Sequence, residues 1–366
     1  MRQTPATLRA AVVGCGNVAG NHAAAYRSLP GVDLVGCCDV DPERARAFGD
    51  RHGIRHSTGD LEMLLDLGVD VVSVCTPHPT HEQVVTAAAA RGAHVLCEKP
   101  IAVDLASAAR TVRACEGAGV RLGVLFQRRF WPAAARIRRA LDDGVLGIPV
   151  LGHASVLLHR DADYYTSAPW RGSWETDGGG VLMTQAIHNV DLLQWFMGDA
   201  VEVSARYATF EHGGAIEVED TLVATLRFAS GALATLAAST ALTPGLGSRV
   251  MITGSTGATV GLAEYPEGAE GVNHLWAVPG EAVAVSPFGT GLAPDVPLST
   301  INGGLAPFHA RQIADFVDAV RTGREPAVTG REAMKSLAIV TAAYGSAAAG
   351  VPVPVPADAG IQEDHR

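Results

Sequence analysis

No stretch of this 366-residue sequence approaches the ~20 uninterrupted apolar residues that a membrane-spanning helix requires, although 48% of it is hydrophobic. No separate apolar segment with a cleavage site precedes the first strand pattern, so a secretory signal is not readable and a cytoplasmic location is expected. Cysteine is scarce. The six cysteines, Cys15, Cys37, Cys38, Cys75, Cys97 and Cys115, all fall in the first third of the chain and none forms a C-x-x-C pair. They read as small buried hydrophobes, which excludes a disulfide framework and a zinc site. Positive charge is in deficit as well, with 28 Lys and Arg against 38 Asp and Glu. A formal charge of −10 leaves no basic stripe for nucleic acid, and no internal repeat of solenoid period is visible. What remains is a globular protein with a small-molecule partner, too long for one ordinary core and therefore expected to hold two domains.

Within it, Leu8 to Ser28 reads as strand, tight turn and helix. Gly14, Gly16 and Ala19 occupy the small positions of a G-x-G-x-x-G/A fingerprint, with Cys15, Asn17 and Val18 completing the loop. The first glycine permits the turn, the second lets backbone approach a pyrophosphate, and the third small residue lets helix pack on strand. The N–H groups opening the helix then face the phosphates. A second apolar run, Val32 to Cys38, ends in Asp39, an acid at the distance that suits the 2′-hydroxyl of NAD and repels the 2′-phosphate of NADP. NAD is the expected cofactor.

Helical and strand patterns then alternate: a helix from Pro42 to near Gly53, a short one over 60–67, and the strand run VDVVSVCTP. An Ala-rich helix over 80–91, the strand AHVLCEKP, a helix over 104–117 and the strand VRLGVLFQ follow. This spacing means βαβ units and a parallel sheet. Near residue 150 the pattern changes. After a strand-like 149–160 and a helix over 180–197, runs such as VEVSARYATF, DTLVATLRF and ALATLAAS follow one another with tight turns, which indicates an antiparallel sheet. Residues 264–306 are too rich in Gly and Pro to place, 307–321 and 331–346 read as closing helices, and VPVPVPADAGIQEDHR reads as a poorly ordered tail. The fold expected is α/β in residues 1–128 and α+β in 129–350, with an extended tail over 351–366.

Three stretches carry chemistry. Glu98-Lys99-Pro100 stands at the carboxyl end of a predicted parallel strand, where open α/β sheets bind ligands. In DGGGVLMTQAIHNVDLLQWFMG, Thr184, His188 and Asp191 recur at i, i+4 and i+7 on an otherwise apolar helix, with Gln185 beside them. CTPHPTH and FQRRF each close a predicted strand on the same rim.

Together, GCGNVA, CTPHPTH, EKP, FQRRF, APWRG and DGGG…IHNVDLL resemble the glucose–fructose oxidoreductase/inositol dehydrogenase (Gfo/Idh/MocA) family along nearly the whole chain. The resemblance implies an N-terminal Rossmann domain, a C-terminal domain with a large open, mainly antiparallel sheet that often makes a dimer or tetramer, and closing helices that support the Rossmann domain. By position, Lys99 matches the family's catalytic lysine, and Glu98 a neighbour that contacts or orients the cofactor. Thr76, Pro77 and His81 match the loop lining the dinucleotide, Gln127 and Arg128 residues near the nicotinamide, Trp170 and Arg171 a cofactor-touching pair from the second domain, and His188 the histidine facing substrate. Many members carry Asp four residues before that histidine; here it is Thr184, which cannot hold a charge, so Lys99 must carry more of the proton transfer.

Asp191 is left either orienting His188 or serving the helix surface or a core network. The implied reaction interconverts a ring hydroxyl and a ketone on a sugar, amino sugar or cyclitol, with Lys99 as acid/base, His188 assisting, and Thr184, Gln185 and Tyr165 at the substrate. Acting as a base asks that Lys99 titrate well below its ordinary value of about 10.4. His159, Arg160, Tyr164 and Asn189 suit a hydroxylated ring, while Asp161, Asp163, Glu217 and Glu219 read as solvated loop charges. Two alternatives share the fold: an NAD-dependent glycoside hydrolase, and a non-catalytic regulator responsive to NAD or a ligand.

Overall fold

A computed structural model describes residues 7–285 and 292–356. They form two compact units, the first running through Gln127 and adding Leu305–Met334, the second taking Arg128–Gly304 and the residues from Lys335 onward.

The first unit holds six strands: β1 (Leu8–Val13), β2 (Val32–Cys38), β3 (His56–Thr58), β4 (Val71–Val74), β5 (His94–Cys97) and β6 (Leu122–Val124). They lie in the order β3-β2-β1-β4-β5-β6 with every neighbouring pair parallel. Parallel strands covered on both faces must be apolar along their length, which is why VVSV and HVLC carry no polar alternation. The crossovers are α1 (Ala19–Ser28), α2 (Pro42–His52), α3 (Leu61–Leu65), α4 (His81–Ala90) and α5 (Leu105–Ala118). Asp41, Asp60 and Asp104 cap α2, α3 and α5 by accepting backbone N–H groups, whereas no side chain caps α1. The strand order reverses between β1 and β4, the point at which doubly wound sheets open a crevice at their carboxyl ends. Ile313, Phe316, Val317 and Val320 from the late segment join Val12, Val71, Leu96 and Leu125 in one core. The five cysteines Cys15, Cys37, Cys38, Cys97 and Cys115 are buried free thiols, and Cys75 is partly buried.

The second unit opens with α6 (Pro132–Asp142) and builds a nine-stranded sheet. Its strands are β7 (Pro149–Leu157), β8 (Ala200–Ala208), β9 (Thr221–Phe228), β10 (Leu233–Ser239), β11 (Gly247–Gly254), β12 (Thr259–Glu264), β13 (Val272–Ala277), β14 (Ala284–Val285) and β15 (Val353–Pro354). The order is β14-β13-β12-β11-β7-β10-β9-β8-β15, antiparallel throughout except where β10 runs parallel to β7. A short α7 (Ala162–Thr166) follows β7, and a π-helical turn over Leu182–Ala186 runs into α8 (Ile187–Met197), which packs on β7 and β11. The period-two burial of β9 and β10 leaves Val223 and Leu233 more than half exposed on the opposite face, beside Leu151.

Two regions differ from the sequence reading. The Gly- and Pro-rich stretch contains β13 and β14, and α9 (Leu298–Thr322) begins well before Pro307, the residue read as its first turn. The hydrogen bond that proline cannot donate is the one to the Gly303 carbonyl. The closing α10 spans Gly330–Ala349. Of the tail, Val353–Pro354 is not loose but pairs with Val203 and Glu202 as β15, and residues 357–366 lie outside those described. Among the described residues no helix is long and apolar enough to cross a membrane.

Candidate active site

At the carboxyl edge of the parallel sheet, Gly14 has φ +88°, and a β-carbon there would lie 2.6 Å from the Cys75 carbonyl and 2.7 Å from the Thr76 nitrogen. Only glycine fits. A β-carbon on Gly16 would meet nothing within 4 Å, which leaves its exposed backbone open to a bound group. Asn17 is exposed and Val18 half-buried before the uncapped start of α1. Asp39 ends β2 and is nearly buried, accepting the N–H of Cys15 at 2.9 Å and of Asp41 at 3.0 Å, with Arg44 Nη1 at 3.3 Å. The carboxylate therefore pins the glycine loop to β2 and keeps lone pairs to spare for a ribose hydroxyl. Val40, 93% exposed next to it, offers an aliphatic surface that the sequence reading did not single out.

Whether these residues fit a dinucleotide is tested by the polar atoms they leave over. The buried Thr76 Oγ1 and Gln127 Oε1, near the ends of β4 and β6, have no hydrogen-bond partner among the described residues. Such atoms cost ~1–3 kcal/mol each when left dry, and the phosphates and amide of a dinucleotide are groups of the kind that satisfy them. The residues fit. His81 lies beneath Pro77 and Thr76, its ring nitrogens 2.9 Å from the Thr76 carbonyl and 2.8 Å from that of Pro100. Burial pushes this imidazole down to about 4, and the ring bridges two loops.

Lys99 follows β5 and is half-buried. Glu98 is buried behind it: Oε1 lies 3.0 Å from His22 Nε2 and 3.6 Å from His309 Nε2, and Oε2 accepts the Lys99 backbone N–H at 3.3 Å. Burial raises the Glu98 carboxyl, but the two histidines set against it outweigh burial and hold the group well below the usual range.

In the second unit, the segment bearing His188 is anchored by Glu219, which accepts the N–H of Gly180 and of Leu182, each at 2.9 Å, and the Tyr344 hydroxyl at 2.9 Å. Glu219 is thus no solvated loop charge: it is fully buried, and burial pushes its carboxyl up to about 7. In the π turn, the Thr184 hydroxyl, with one hydrogen to donate, lies 2.8 Å from the Gly180 carbonyl and beside Gln185 Oε1, and Gln185 Nε2 donates to the Tyr164 hydroxyl at 2.9 Å. Arg171 stacks 4.4 Å over the Tyr164 ring and 5.3 Å over Trp170. The Tyr165 hydroxyl meets Thr240 Oγ1 at 3.0 Å, and Arg160 pairs with Glu267 at 2.6 Å.

His188 is buried at the start of α8. Its neighbour Asn189 accepts from Arg128 Nη1 at 2.5 Å, and Arg128 also pairs with buried Glu264 at 2.6 Å. Asp191 stands in a buried network, taking both Arg129 Nε and Nη2 at 2.8 and 2.7 Å and the Ser336 hydroxyl at 3.1 Å. The extra residue in the π turn shifts the i, i+4, i+7 stripe that a uniform helix would present. Acids thought to be solvated have structural roles too: Asp161 caps α7 through the Tyr164 N–H.

The raised Glu219 carboxyl has a pH consequence. The folded state holds a proton on it that the unfolded chain, near its ordinary 4.5, has released, so its contribution to stability is present below 4.5 and lost as pH rises through about 7. The stability difference between wild type and Glu219→Gln is expected to shift by on the order of 3 kcal/mol across that interval. Chemical denaturation at several pH values measures it, and parallel curves for the two proteins would refute it.

Residues 8–126 match the family model described as "Oxidoreductase family, NAD-binding Rossmann fold", and residues 134–260 match the "GFO/IDH/MocA C-terminal domain". D-apiose dehydrogenase of Paraburkholderia graminis is 32% identical over 353 residues, covering 94% of this chain and 88% of that protein. Inositol 2-dehydrogenase of Rhizobium meliloti is 29% identical over 350 residues, covering 93% and 97%. Among solved structures, the WlbA dehydrogenase from Bordetella pertussis in complex with NADH and UDP-GlcNAcA superposes with a TM-score of 0.83 at 32% identity, over 96% of this chain and all of that one.

Proposed function

The chain belongs to the Gfo/Idh/MocA oxidoreductase family, and from that premise we propose that it interconverts a ring hydroxyl and a ketone on a sugar or cyclitol, with Lys99 moving the proton and NAD preferred to NADP. The observation that carries the reading is the placement of a half-buried lysine at the end of β5, on the same sheet edge as the Gly14 and Gly16 cradle and Asp39. When bound, the dinucleotide accepts or supplies the hydride.

The protein's part is binding and one proton. Gly14 and Gly16 admit the pyrophosphate, and Asp39 takes the ribose hydroxyl. Thr76 Oγ1 and Gln127 Oε1 supply polar contacts along the edge. Lys99 Nζ takes the proton from the substrate hydroxyl in oxidation and returns it in reduction. His188 assists by holding that hydroxyl, and Thr184, Gln185 and Tyr165 are the further substrate contacts, with Trp170 and Arg171 touching the cofactor. Relatives named for apiose and inositol make a neutral polyhydroxylated ring the first class to test. The apolar residues Leu151, Val223 and Leu233 on the open sheet face are the proposed contact of a homodimer or homotetramer.

The test is a thermal-shift titration with NAD and NADP, followed by a panel of sugars and cyclitols with the dinucleotide that stabilises the protein. NADH formed in step with ketone supports the reading. A released sugar without NADH would make the protein a hydrolase of the same fold, and no stabilisation by either dinucleotide would sink both readings.

Asp39 gives a sharper prediction because Arg44 stands beside it. Asp39→Asn keeps an acceptor for the Cys15 N–H, removes the charge that repels a 2′-phosphate, and frees Arg44 to meet one. Its preference for NAD over NADP, read as the ratio of kcat/KM values, is expected to fall roughly 10- to 100-fold, the worth of one charged hydrogen bond. An unchanged ratio would remove Asp39 from the cofactor site.

A further inference from the structure

We propose that His309, together with His22, is a positioning residue for Lys99, acting through the Glu98 carboxylate. The inference rests on the reading of Lys99 as the proton-transfer group.

Glu98 is a hub whose two oxygens face different ways. Oε2 holds the backbone N–H of Lys99 at 3.3 Å, while Oε1 is met by His22 Nε2 at 3.0 Å and His309 Nε2 at 3.6 Å. All three side chains are buried, with residue exposures of 0% for His22, 8% for Glu98 and 3% for His309. A carboxylate so placed has no water to lean on and depends on these partners.

The hydrogen positions follow from the outer contacts. His309 Nδ1 lies 3.0 Å from the Leu305 carbonyl, which can only accept, so Nδ1 carries a hydrogen. The opposite nitrogen, Nε2, faces the Glu98 carboxylate at 3.6 Å. His22 has a different solution. Its Nδ1 is 2.8 Å from Ser73 Oγ, which is 2.7 Å from the Tyr26 hydroxyl, so a chain Tyr26 to Ser73 to His22 leaves Nε2–H to donate to Glu98 with the ring neutral. Burial lowers His22, consistent with that form.

Other titratable groups near Glu98 are Cys75, Cys97 and His81: burial raises both thiols well above their usual range, and burial lowers the imidazole. His309 also belongs to a rigid support, because Ile313, Phe316 and Val317 a few residues on are core residues of the same unit. The late helix thereby fixes the peptide that bears the reactive amine.

The sequence supplies a probe that needs neither substrate nor cofactor. Only two lysines occur in the chain, Lys99 and Lys335, so competitive acetylation with trace acetic anhydride reads Lys99 against an internal reference. His309→Leu removes the contact, and His309→Gln keeps a donor toward Glu98. In the full-length protein, His309→Leu is expected to change the Lys99-to-Lys335 labelling ratio by at least about threefold at neutral pH, the scale of one net hydrogen bond. His309→Gln is expected to restore most of it. With an active polyol from the panel, the loss should appear in kcat and leave the KM for NAD in place.

Should His309→Leu fail to fold, as judged by near-UV circular dichroism, His22→Gln and His309→Gln carry the comparison. Wild-type labelling profiles in the folded variants would overturn the proposal. So would one tightly bound Zn²⁺ per wild-type chain that His309→Gln abolishes, since the trio would then be a set of metal ligands. Retained turnover in Lys99→Ala is a separate result: it removes the catalytic reading, whatever the labelling shows.

Discussion

Lys99→Ala is expected to lose ~10²–10⁴-fold in turnover, the usual worth of a positioned acid/base group, while NAD still raises the thermal midpoint as in wild type. The two halves of that expectation have different origins. In the proposed site the dinucleotide is held by Gly14, Gly16 and Asp39, just past the ends of β1 and β2, which the substitution does not touch. The strand end is also fixed without the side chain, because the Leu125 N–H donates to the Cys97 carbonyl and the Glu98 N–H to that of Val74, each at 2.9 Å. Truncation at Cβ therefore removes the amine and leaves the strand end in place. Lys99→Arg separates the two things an ammonium can do. Arginine keeps the positive charge but does not release a proton in a protein, so it should bind NAD and turn over no better than alanine. A Lys99→Arg enzyme close to wild type would mean that charge, and not proton transfer, is what position 99 supplies.

Parts of this site were legible because their causes are local. Gly14 sits at φ +88° in the turn of one strand–turn–helix unit, and Asp39 follows by the length of one β–α–β step. Lys99 drew notice from its place after a strand and was given a role by the family resemblance, and composition holds a second signal. In a chain whose 28 basic residues are otherwise arginine, lysine survives only at 99 and 335, and only lysine can give up its proton near neutral pH.

What could not be read depends on residues far apart in sequence or on backbone partners. Nothing near Glu98 announces His309, which arrives on the late helix. Glu219 looked like a loop acid because two of its partners are the N–H groups of Gly180 and Leu182, and backbone donors leave no mark in composition. Asp191 remained ambiguous because the Thr184, His188, Asp191 spacing presumes one uniform helix, and the π turn breaks it. Its carboxylate faces Arg129, a residue of the FQRRF stretch that the reading assigned only to the cofactor rim. The strand VNHLWA was hidden by the glycines and prolines on either side of it.

Gly180→Ala is expected to be the most damaging conservative change in the second unit, and the reason is backbone contact. A β-carbon at Gly180 would lie 1.8 Å from the Glu219 carbonyl oxygen, 2.8 Å from its carbon and 2.9 Å from Oε2. None of these is the loose end of a flexible chain. The Glu219 carbonyl accepts the Val181 N–H at 3.1 Å, and its carboxylate accepts those of Gly180 and Leu182, so the methyl group must push apart the segment that makes all three bonds. Glu219 would then be a buried carboxyl stripped of its donors, with an expected cost of about 3–5 kcal/mol. The lost anchor lies at the start of the turn that carries Thr184, Gln185 and His188, so turnover should fall even where the variant remains folded. Gly213→Ala is the control, since a β-carbon there meets nothing within 4 Å. It should stay within about 0.5 kcal/mol of wild type. Denaturant unfolding of the pair decides the matter: equal midpoints would mean that the contact between Gly180 and Glu219 does not hold this helix, and the role given to the third glycine of DGGG would have to be abandoned.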